Sequence, residues 1–595
     1  MSFTSQIQSF ALTGLSELYG QPITAKDFQI NETKPEFEGD YTIVLFSLVK
    51  TLKKSPEIIG KELGENLLKN LPHFFSGYNV IKGFLNLKIT DEELIHLLNE
   101  NFADQSFGKK PLTNERIMVE YSSPNTNKPL HLGHLRNNFL GWSVAEILKA
   151  NGNEVIKSSI VNDRGIHICK SMIAWQMFAN GATPESTQIK GDHFVGDYYV
   201  KFNEEYKKEI AELVESGKTK EEAEKEAPIM KKTQQMLLDW ENGNPEVRNL
   251  WSKMNGWVYK GFDETYKRIG SDFDHTFYES NTYLLGKDFV REGLEKNILF
   301  KKEDGSVWID LADKNLDEKL VLRGDGTSVY ITQDIGLARQ KFEEYHLDKS
   351  IYVIGDEQLH HMKVLKEIVR KLGLPFADKI FHLSYGMVEL TTGKMKSREG
   401  TVVDADDLVN EMVATAEMHT KELGKVKEFS EEELNELYET LALGAMKFYL
   451  MRVDPKKRMV FNPTESIDFH GFTGPFVQYT YARIQSILRK INQGPVTIKS
   501  KAEMNTLLPL ERQLIVFLES YSNVISDAAE EMNPAVVANY VFNLAKLYNS
   551  FYSEHSVANA ENEEKKDLRL CISVMTANVI KSGMELLGIK VPDKM

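Results

Sequence analysis

Two histidines in one short turn are the residues of this chain best suited to chemistry. They stand in His131-Leu-Gly-His134, after a strand-like stretch, Arg116–Tyr121, and before a helix-like one, Leu135–Ala150. A turn from a strand into a helix presents free backbone N–H groups and the positive end of the helix dipole, which attract an anion. Histidines placed there can donate hydrogen bonds to phosphate oxygens, and the glycine lets a flat ring approach the backbone. The turn therefore predicts nucleotide chemistry.

Taken alone, this pair of histidines is also compatible with a structural or a metal-binding role. A zinc site is disfavoured because no Glu or third ligand stands beside the pair at helical spacing, as it does in His-Glu-x-x-His. The chain has two cysteines, Cys169 and Cys571, so neither a disulfide framework nor a cysteine zinc site is expected. We therefore predict no protein-bound zinc and no other metal ligated by the chain itself.

A second segment, Thr391–Thr401, places three cations at alternate positions between glycines. They are Lys394, Lys396 and Arg398. Glycines allow a loop to move, and three cations at its tip suit the negative charge that develops on a pyrophosphate leaving group. By itself the segment is also compatible with an ordinary basic surface loop. Together, the two segments are far more specific for nucleotide chemistry than either is alone.

Short apolar runs that alternate with helical patterns are expected to position these two segments. The runs are Ile117–Tyr121, Val155–Val161, Ser350–Gly355 and Lys379–Tyr385. Their alternation with helical segments favours an open parallel α/β sheet. The highly charged interval 201–243 is expected to form a long exposed helix pair inserted into this domain.

The regions on either side of this sheet have different patterns. Residues 1–110 combine helical spacing with an alternating stretch, Val80–Ile89, that predicts one half-buried strand, so an α+β domain is expected. From 406 to 595 apolar residues recur at helical spacing and strand signals all but vanish, which predicts an all-α domain. The α/β domain is then 111–405, with an inserted helical or connective segment at about 195–300.

The bulk composition limits the class of protein. A chain of 595 residues is too long for one core, so several domains are expected. The net charge of −15 argues against indiscriminate binding of polyanions, but a nucleic-acid partner needs only a local basic surface. The start of the chain lacks the basic segment of a signal peptide, and no run of 18 apolar residues occurs. We therefore expect a cytoplasmic protein without a membrane partner.

Because it contains both segments, the chain resembles the class I aminoacyl-tRNA synthetases, whose signatures are His-Ile-Gly-His and Lys-Met-Ser-Lys-Ser. Here they read His131-Leu-Gly-His134 and Lys394-Met-Lys-Ser-Arg398. Within that class the chain is similar to the arginyl-tRNA synthetases along essentially its whole length. The supporting runs are Glu120–Lys128, Arg323–Gly336, Tyr352–His360 and Leu586–Met595.

The resemblance implies a multidomain α/β protein with a Rossmann-like catalytic domain and an all-α anticodon-binding domain. It also implies a two-step reaction: the carboxylate of L-arginine attacks the α-phosphate of ATP, and the acyl group then passes to the terminal ribose of tRNA(Arg). Positioning and charge neutralisation would carry the catalysis. ATP with Mg²⁺, L-arginine and tRNA(Arg) are the implied cofactors and partners, the chain is expected to be a monomer, and activation of arginine is expected to require tRNA.

The implied ATP site uses both signatures. His131 and His134 would contact the phosphates in the transition state, and the cations of the second signature would close over the pyrophosphate. The full implied set is His131, Gly133, His134, Gly355, Met387, Lys394 and Lys396, with Arg398 as a further catalytic residue. One departure is informative: Ser397 stands where the family-wide pattern has its second lysine. Lys128 resembles the lysine thought to replace it in arginyl enzymes, although a lysine before Pro129 is also compatible with a simple turn residue.

The implied arginine pocket is rich in acceptors. A guanidinium is planar and permanently charged, so it requires carboxylates and in-plane acceptors. Asp334 matches the position that faces the guanidinium, and Tyr330 would share its helical face. Glu120, Asn125 and Gln358 complete the implied set, and which group of arginine each one holds stays open.

Recognition of tRNA is expected in two places. The resemblance assigns the elbow of the tRNA to the N-terminal domain and the anticodon loop to the C-terminal domain. Aromatic rings can stack on splayed loop bases while cations meet phosphates. The candidates are Lys456, Lys457, Tyr479, Tyr481 and Arg483, and packing inside a helix bundle is an equal alternative for the two tyrosines.

Two rival hypotheses remain at this point. The first is another class I synthetase, or a small nucleotidyltransferase with the same histidine turn, which would have no use for the helical C-terminal region. The second is a synthetase-like protein that binds tRNA but has lost catalysis. Such a protein has no need to keep both signatures, the pocket carboxylates and Gln358, all of which are present.

Overall fold

The computed structural model describes residues 2–34, 36–390, 403–422, 429–492 and 506–595. Two large hydrophobic cores lie in these ranges, one shared by most of the chain and one beneath the far side of the central sheet. Both cysteines are buried as free thiols. Within the described ranges, no helix combines the length and the apolar composition required to cross a bilayer.

The N-terminal region is an antiparallel sheet of four strands, in the order β1-β2-β4-β3, with helices packed against it. Its third helix begins where Ser55 accepts a hydrogen bond from Ile58 N–H and Pro56 occupies the first turn, where a proline costs nothing. The elements are α1 (Phe3–Tyr19), β1 (Gln29–Glu32), β2 (Tyr41–Val44), α2 (Leu48–Leu52), α3 (Pro56–Asn70), β3 (Phe75–Ile81), β4 (Phe84–Ile89) and α4 (Asp91–Asn101).

One sequence prediction is wrong in this region. The stretch Val80–Ile89 does not form a single strand but contains the turn of the β3–β4 hairpin. Lys82 and Gly83 have φ values of 48° and 80°. Two successive residues with positive φ form the tight turn that matches the twist of a hairpin. The alternation of side chains continues across this turn, which is why the pattern alone predicted one strand.

The central domain contains a parallel sheet of five strands in the order β12-β11-β5-β6-β7. This confirms the predicted open parallel α/β sheet. Its strands and adjoining helices are β5 (Arg116–Glu120), α5 (Leu132–Ala150), β6 (Glu154–Val161), α6 (Ile166–Phe178), α7 (Pro184–Thr187), α8 (Gly191–Glu215), α9 (Lys220–Glu226), α10 (Pro228–Glu241), α11 (Pro245–Ile269), β7 (His275–Tyr278), α12 (Glu279–Thr282), α13 (Lys287–Glu295), β8 (Leu299–Lys301), β9 (Val307–Ile309), β10 (Lys319–Leu322), α14 (Tyr330–Tyr345), β11 (Lys349–Gly355), α15 (Leu359–Lys371), β12 (Ile380–Tyr385) and β13 (Val388–Leu390).

The order of the strands creates a switch point beside β5. The chain leaves β5 through α5 to β6 on one side, whereas β11 pairs with β5 on the other side. In open parallel sheets, ligands bind in the crevice outside the carboxyl ends of the strands at such a point. Glu120 ends β5 and Gly355 ends β11, so both residues lie at this crevice.

Two insertions interrupt the central sheet. The first consists of helices α8 to α11, so the predicted helix pair at 201–243 is wrong: three helices, α8, α9 and α10, share that interval, because Gly217, with a φ of 99°, and Pro228 stand at the breaks. Helix α11 begins with Asn244 and Pro245 and ends at Gly270 in the left-handed conformation. A small antiparallel sheet, in the order β10-β9-β8, was not expected from the sequence. Its strands have three or four residues each, which is too short to show the alternation of apolar and polar residues that marks a strand.

The C-terminal region is helical, as predicted, with one short strand among its described residues. That strand, β14, pairs in parallel with β13 of the central domain. The elements are α16 (Ala405–Glu422), α17 (Glu431–Met451), β14 (Met459–Phe461), α18 (Pro463–Ser466), α19 (Gly474–Asn492), α20 (Pro509–Glu519), α21 (Tyr521–Glu531), α22 (Pro534–Glu554) and α23 (Glu563–Leu586).

One arginine makes several of the contacts that connect the N-terminal and helical regions. Arg512 of α20 donates from Nε to Asp40 Oδ1 at 3.0 Å and from Nη2 to the carbonyl of Ile89 at 2.6 Å. Its Nη1 donates to Asp91 Oδ1 at 2.5 Å. The side chain of Asp40 is 8% exposed, so its charge depends on this guanidinium for compensation.

We expect Arg512→Met to lower the free energy of unfolding by roughly 3–5 kcal/mol, because it leaves a buried carboxylate without its partner. Urea unfolding at pH 7 measures the loss. The matched control is Lys566→Met, whose partner Glu563 is 83% exposed, and its cost should be about 0–1 kcal/mol. Equal costs for the two variants would contradict the structural role of Arg512.

Candidate active site

A cavity of about 640 Å³ lies at the switch point of the parallel sheet. Its walls come from the ends of β5 and β11, the start of α5 and the starts of α14 and α15. Most of the residues that sequence reasoning selected line it: Glu120, Asn125, His131, Gly133, His134, Tyr330, Asp334, Gly355, Gln358 and Met387. Folding thus brings together residues that are spread over more than 260 positions (387 − 120 = 267).

The two histidines cap the first turn of α5 reciprocally. His131 Nδ1 accepts a hydrogen bond from Gly133 N–H at 3.1 Å, and His134 Nδ1 accepts one from His131 N–H at 3.1 Å. The ring centroids are 3.8 Å apart. A Cβ atom on Gly133 would lie 3.0 Å from the His131 ring, so glycine gives this ring room to fold back over the turn.

This geometry determines the protonation of both rings. Each Nδ1 is an acceptor, so the proton of the neutral ring is on Nε2 and Nε2–H remains as the donor for a ligand. Burial and the nearby charge of Lys128 lower the pKa of His131 to about 3. Burial, His131 and Lys128 likewise lower the pKa of His134 well below its usual value. Both histidines are therefore neutral donors at pH 7.

Polar side chains of α5 hold this turn in place. Asn137 Nδ2 donates to the carbonyl of Val353 at 2.7 Å, and Asn137 Oδ1 accepts from Ser122 N–H at 2.6 Å. Arg136 donates to the carbonyls of Pro455 and Lys457 at 3.1 and 2.8 Å. The helix is thereby attached to β11, to the loop after β5 and to the loop before β14.

The floor of the cavity holds a buried ion pair. Lys341 of α14 is fully buried and donates to Glu120 Oε2. Burial disfavours the ammonium charge, but the adjacent carboxylate outweighs this and raises the pKa of Lys341. The pair places the Glu120 carboxylate at the edge of the cavity.

The opposite wall carries Asp334, whose carboxylate is oriented by a histidine. The distance from His361 Nε2 to Asp334 Oδ2 is 2.7 Å. Tyr330, one turn earlier on α14, is 73% exposed and lines the same cavity, as its helical spacing predicted. Asn125 forms an isolated β-bridge with Asn162, and Gln358 directly precedes α15.

Sequence reasoning missed a third carboxylate in this cavity. Glu279 begins α12, and burial raises its pKa to about 7, with Arg164 opposing this shift and Asp163 and Asp334 adding to it. Arg164 also lines the cavity, and its guanidinium is 4.0 Å from the ring centre of Tyr283. Neither residue belongs to a recognisable motif, so the signal that reveals them is their position next to Asp334.

The sequence indicated four further candidates for the phosphate site. Lys394, Lys396 and Arg398 are outside the described residues. Lys128 lines a second, smaller cavity of about 220 Å³, which it shares with His131, His193 and Asp404. Lys128 is therefore placed behind the His131 ring, where its charge lowers the pKa of both histidines.

A further cavity of about 930 Å³ lies in the helical domain. Tyr479 and Arg483 line it, and the Arg483 guanidinium is 4.9 Å from the Tyr479 ring centre and 5.5 Å from that of Tyr552. Arg489 and Lys490 add positive charge to the same wall. Stacked aromatic rings beside cations are typical of surfaces that bind unpaired nucleobases.

The other three sequence candidates for tRNA binding, Tyr481, Lys456 and Lys457, do not lie on this surface. Tyr481 is only 5% exposed and its hydroxyl faces Asp593, so packing within the helices is the correct interpretation and its ring cannot stack on a base. Lys456 and Lys457 are exposed, but they lie in the loop before β14, where Pro455 accepts from Gly386 N–H. This loop adjoins the active-site cavity, so the two lysines do not line the helical-domain cavity.

One group of side chains among the described residues has the spacing of a metal site: Asp192, His193 and Asp406. Lys190 Nζ lies 2.7 Å from Asp406 Oδ2 and 3.1 Å from Asp192 Oδ2. An ammonium group at these oxygens takes the place that a cation would occupy. The group is therefore a salt-bridge network and not a metal centre.

Family profiles match three consecutive parts of the chain. Residues 5–89 match "Arginyl tRNA synthetase N terminal domain", residues 96–462 match "tRNA synthetases class I (R), catalytic domain" and residues 477–595 match "DALR anticodon binding domain". The catalytic profile alone covers more than half of the chain, which is sufficient to assign a family.

Relatives match this chain over its whole length. It is 53% identical to the arginine–tRNA ligase of Bacteroides thetaiotaomicron and 51% identical to that of Flavobacterium psychrophilum, with both chains covered completely. Among solved structures, it is similar to the arginyl-tRNA synthetase of Thermus thermophilus, with a TM-score of 0.79 at 24% identity and complete coverage of both chains. The enzyme from Plasmodium falciparum gives a TM-score of 0.78 at 18% identity over 100% of this chain and 99% of that one. At these identities the solved structures support the fold alone.

We expect His131 to remain neutral from pH 8 down to pH 5, because its pKa is lowered to about 3. NMR of ¹⁵N-histidine-labelled protein measures this directly, since the Nε2–H tautomer has distinct nitrogen shifts. His131→Gln assigns the signal, and His193, whose pKa is raised, provides a titrating reference in the same spectra. A His131 signal that titrates near pH 6.5 would refute the proposed neutral donor.

Proposed function

This chain belongs to the arginyl-tRNA synthetases, and from that membership we propose that it activates L-arginine with ATP and transfers it to tRNA(Arg). One observation carries the proposal: a single cavity joins a neutral-histidine anion turn to a pocket with three carboxylates, Glu120, Glu279 and Asp334. The first part suits a polyphosphate and the second suits a cationic side chain. The reaction needs both substrates side by side.

The activation step places the arginine carboxylate in line with the α-phosphate of ATP. As the carboxylate oxygen forms its bond to phosphorus, the bond to the β-phosphate oxygen breaks and pyrophosphate leaves. We assign the Nε2–H groups of His131 and His134 to the phosphate oxygens, where negative charge increases in the transition state. Neutral donors suit this role because they need no proton transfer, and the backbone N–H groups of the turn add to them.

The amino-acid side of the cavity is assigned to the guanidinium and the α-ammonium group. Asp334 is our choice for the guanidinium, with His361 fixing the orientation of its carboxylate. Glu279 lies near Asp334 and would become ionised when a cation binds beside it, because burial, with Asp163 and Asp334 adding to it, raises its pKa to about 7. Glu120, Asn125 and Gln358 remain for the ammonium and carboxylate groups, and Tyr330 closes the entrance.

We assign ATP to the other half of the cavity, beside His131 and His134. Gly133, Gly355 and Met387 line the cavity beside the histidines and leave room for the adenosine part of ATP. Mg²⁺ would arrive with the triphosphate, whose oxygens are the hard ligands that this ion prefers. Lys394, Lys396 and Arg398 are proposed to neutralise the pyrophosphate. Lys128 is proposed to compensate for the lysine absent at Ser397.

The tRNA is assigned chiefly to the helical domain. Tyr479 and Arg483, with Tyr552 beside them, form an aromatic and basic wall that suits splayed anticodon-loop bases. Lys456 and Lys457 lie next to the active-site cavity instead, so we assign them to the acceptor end of the tRNA. We propose further that the enzyme acts as a monomer in the cytoplasm.

Charging of tRNA(Arg) with labelled arginine tests the proposal. We expect charging that depends on ATP, and ATP–pyrophosphate exchange that depends on both arginine and tRNA. Exchange driven by another amino acid would overturn the assigned substrate. Binding of tRNA without any charging would identify a binding protein instead of an enzyme.

We expect Asp334→Asn to raise the KM for arginine by about 10- to 100-fold, because it removes a charge-assisted hydrogen bond to the guanidinium. The KM for ATP should change little. Glu343→Gln is the matched control, since Glu343 lies on the same helix with its side chain 63% exposed. Equal effects of Asp334→Asn on the KM values for arginine and ATP would argue against a guanidinium contact.

We expect Arg483→Ala to raise the KM for tRNA by about tenfold, because it removes a cation that stacks on the aromatic wall. The comparison is steady-state charging over a series of tRNA concentrations. Lys581→Ala removes an exposed cation from α23, away from this cavity, and should leave the KM for tRNA unchanged. An unchanged KM for tRNA in Arg483→Ala would remove this wall from the binding surface.

A further inference from the structure

A cluster of five charged side chains joins the charged insertion to the start of the C-terminal helices. Lys190, Asp192 and His193 lie at the start of α8, and Asp404 and Asp406 lie at the start of α16. We call these five residues the clasp. None of them contributes to the cavity that is assigned to ATP and arginine.

Asp406 is the centre of the clasp. Its Oδ2 atom lies 2.7 Å from Lys190 Nζ and 3.1 Å from His193 Nε2, and its Oδ1 atom accepts from Thr265 Oγ1 at 3.1 Å. Thr265 belongs to α11, so three separate segments meet at one carboxylate. These donors hold the pKa of Asp406 far below its usual range, although burial opposes them.

Asp404 connects the clasp to α16 itself. Its Oδ1 atom accepts from the N–H groups of Asp406 and Asp407 at 2.7 and 3.3 Å, which caps the first turn of the helix. Its Oδ2 atom lies 3.4 Å from His193 Nε2. His193 therefore faces two carboxylates of α16 at once.

The same segment pairs with the backbone of the histidine turn. Ala405 N–H donates to the carbonyl of Leu130 at 2.9 Å, and His131 and Asp404 form an isolated antiparallel bridge. His131 and Asp404 also share the wall of the small cavity with Lys128 and His193. A displacement of Asp404 would therefore move the backbone that precedes the His131 ring.

The close approach of α8 to α11 makes this arrangement rigid. Asp192 is fully buried, and a Cβ atom on Gly261 of α11 would lie 2.2 Å from Asp192 Oδ1. Only a glycine permits that spacing. The clasp residues of α8 are therefore held in a fixed position. Their ion pairs with Asp404 and Asp406 then determine where α16 and the histidine turn lie.

The balance of charge in the clasp depends on His193. Asp192 and Asp406 pair with Lys190, and Asp404 and Asp406 face His193. With all three carboxylates ionised, the clasp has an excess of two negative charges when the imidazole is neutral (−3 + 1 = −2) and of one when it is protonated. The hydrogen bond to Asp406 raises the pKa of His193, with Asp404 and Asp192 adding to this and burial and Lys190 opposing it. Asp197 on the same helix and Lys128 and His131 from the turn before α5 also face this region.

We propose that His193 and Asp406 are positioning residues for catalysis: the clasp holds the backbone of the His131 turn at the place where its Nε2–H groups meet the phosphates of ATP. The proposal rests on the activity proposed above. It assigns the clasp an effect on the rate of arginine activation and none on the recognition of arginine, because the arginine half of the cavity has no contact with it.

The sign of the pH dependence follows from the raised pKa. A histidine with a raised pKa contributes its stabilisation while it is protonated, and this is lost as pH rises through the folded-state pKa. Activation should therefore decline on the alkaline side as His193 loses its proton. A lysine at position 193 stays charged to about pH 10 and should remove this decline.

The experiment measures arginine-dependent ATP–pyrophosphate exchange, with tRNA present, from pH 6 to pH 9.5. We expect His193→Gln and Asp406→Asn to lower kcat by about 10- to 100-fold, as a small misplacement of a catalytic group does, with the KM for arginine unchanged. His193→Lys should retain most of the activity and lose the alkaline decline. His419→Gln, a histidine on α16 paired with Glu422, is the matched control and should behave as the wild type.

Active-site titration of each variant separates positioning from a loss of folded protein, since kcat is then expressed per competent site. A normal kcat per site with fewer sites would overturn the proposal in favour of a purely structural role. An alkaline decline that persists in His193→Lys, or a rise in the KM for arginine, would overturn it as well. Failure of the wild type to catalyse exchange would refute the proposed function instead, so the two failures are distinguishable.

Discussion

The burial of α5 is the constraint on which the rest of the structure depends. Of its 19 residues, 14 are buried, among them Arg136, Asn137 and Asn138. A helix without a solvent face must find a partner for every polar side chain inside the protein. Here the partners are backbone carbonyls of β11 and of the loop before β14, together with Ser122. The turn that begins this helix is therefore held by contacts with several parts of the protein, and these contacts also fix the position of the two histidines.

The position of α5 also explains why two kinds of site can share one cavity. The helix starts at the switch point between β5 and β11, where its positive end faces the anion half. The carboxylates come from the other elements around the crevice: Glu120 from β5, Glu279 from α12 and Asp334 from α14. Because the histidines and the carboxylates come from different elements, the proposed ATP and arginine sites would be formed by different parts of one cavity.

Each agreement and each difference between the sequence pattern and the structure has a physical explanation. Strands β6 and β11 were predictable because they have eight and seven residues and several β-branched side chains, whereas β8 and β9 have three residues each and carry no visible period. The β3–β4 turn was missed because alternation continues through Lys82 and Gly83. The residues that line the site were predictable where a signature marks them. Glu279 carries no signature, and the sequence left RNA contact and helix packing equally open for Tyr481, which is 5% exposed.

The sequence by itself determined the chemistry that is available: two histidines around a glycine, a basic second signature, and acceptors at fixed spacing such as Tyr330 and Asp334. Only the tertiary structure decided the state of these groups. His131 is a neutral donor because segments distant in the chain bury it and place Lys128 behind it. Glu279 joins the pocket because α12 packs beside α14, and Tyr481 leaves the RNA surface because helices cover it. Burial and the charge of neighbours depend on what folding brings together, and the order of residues along the chain does not record them.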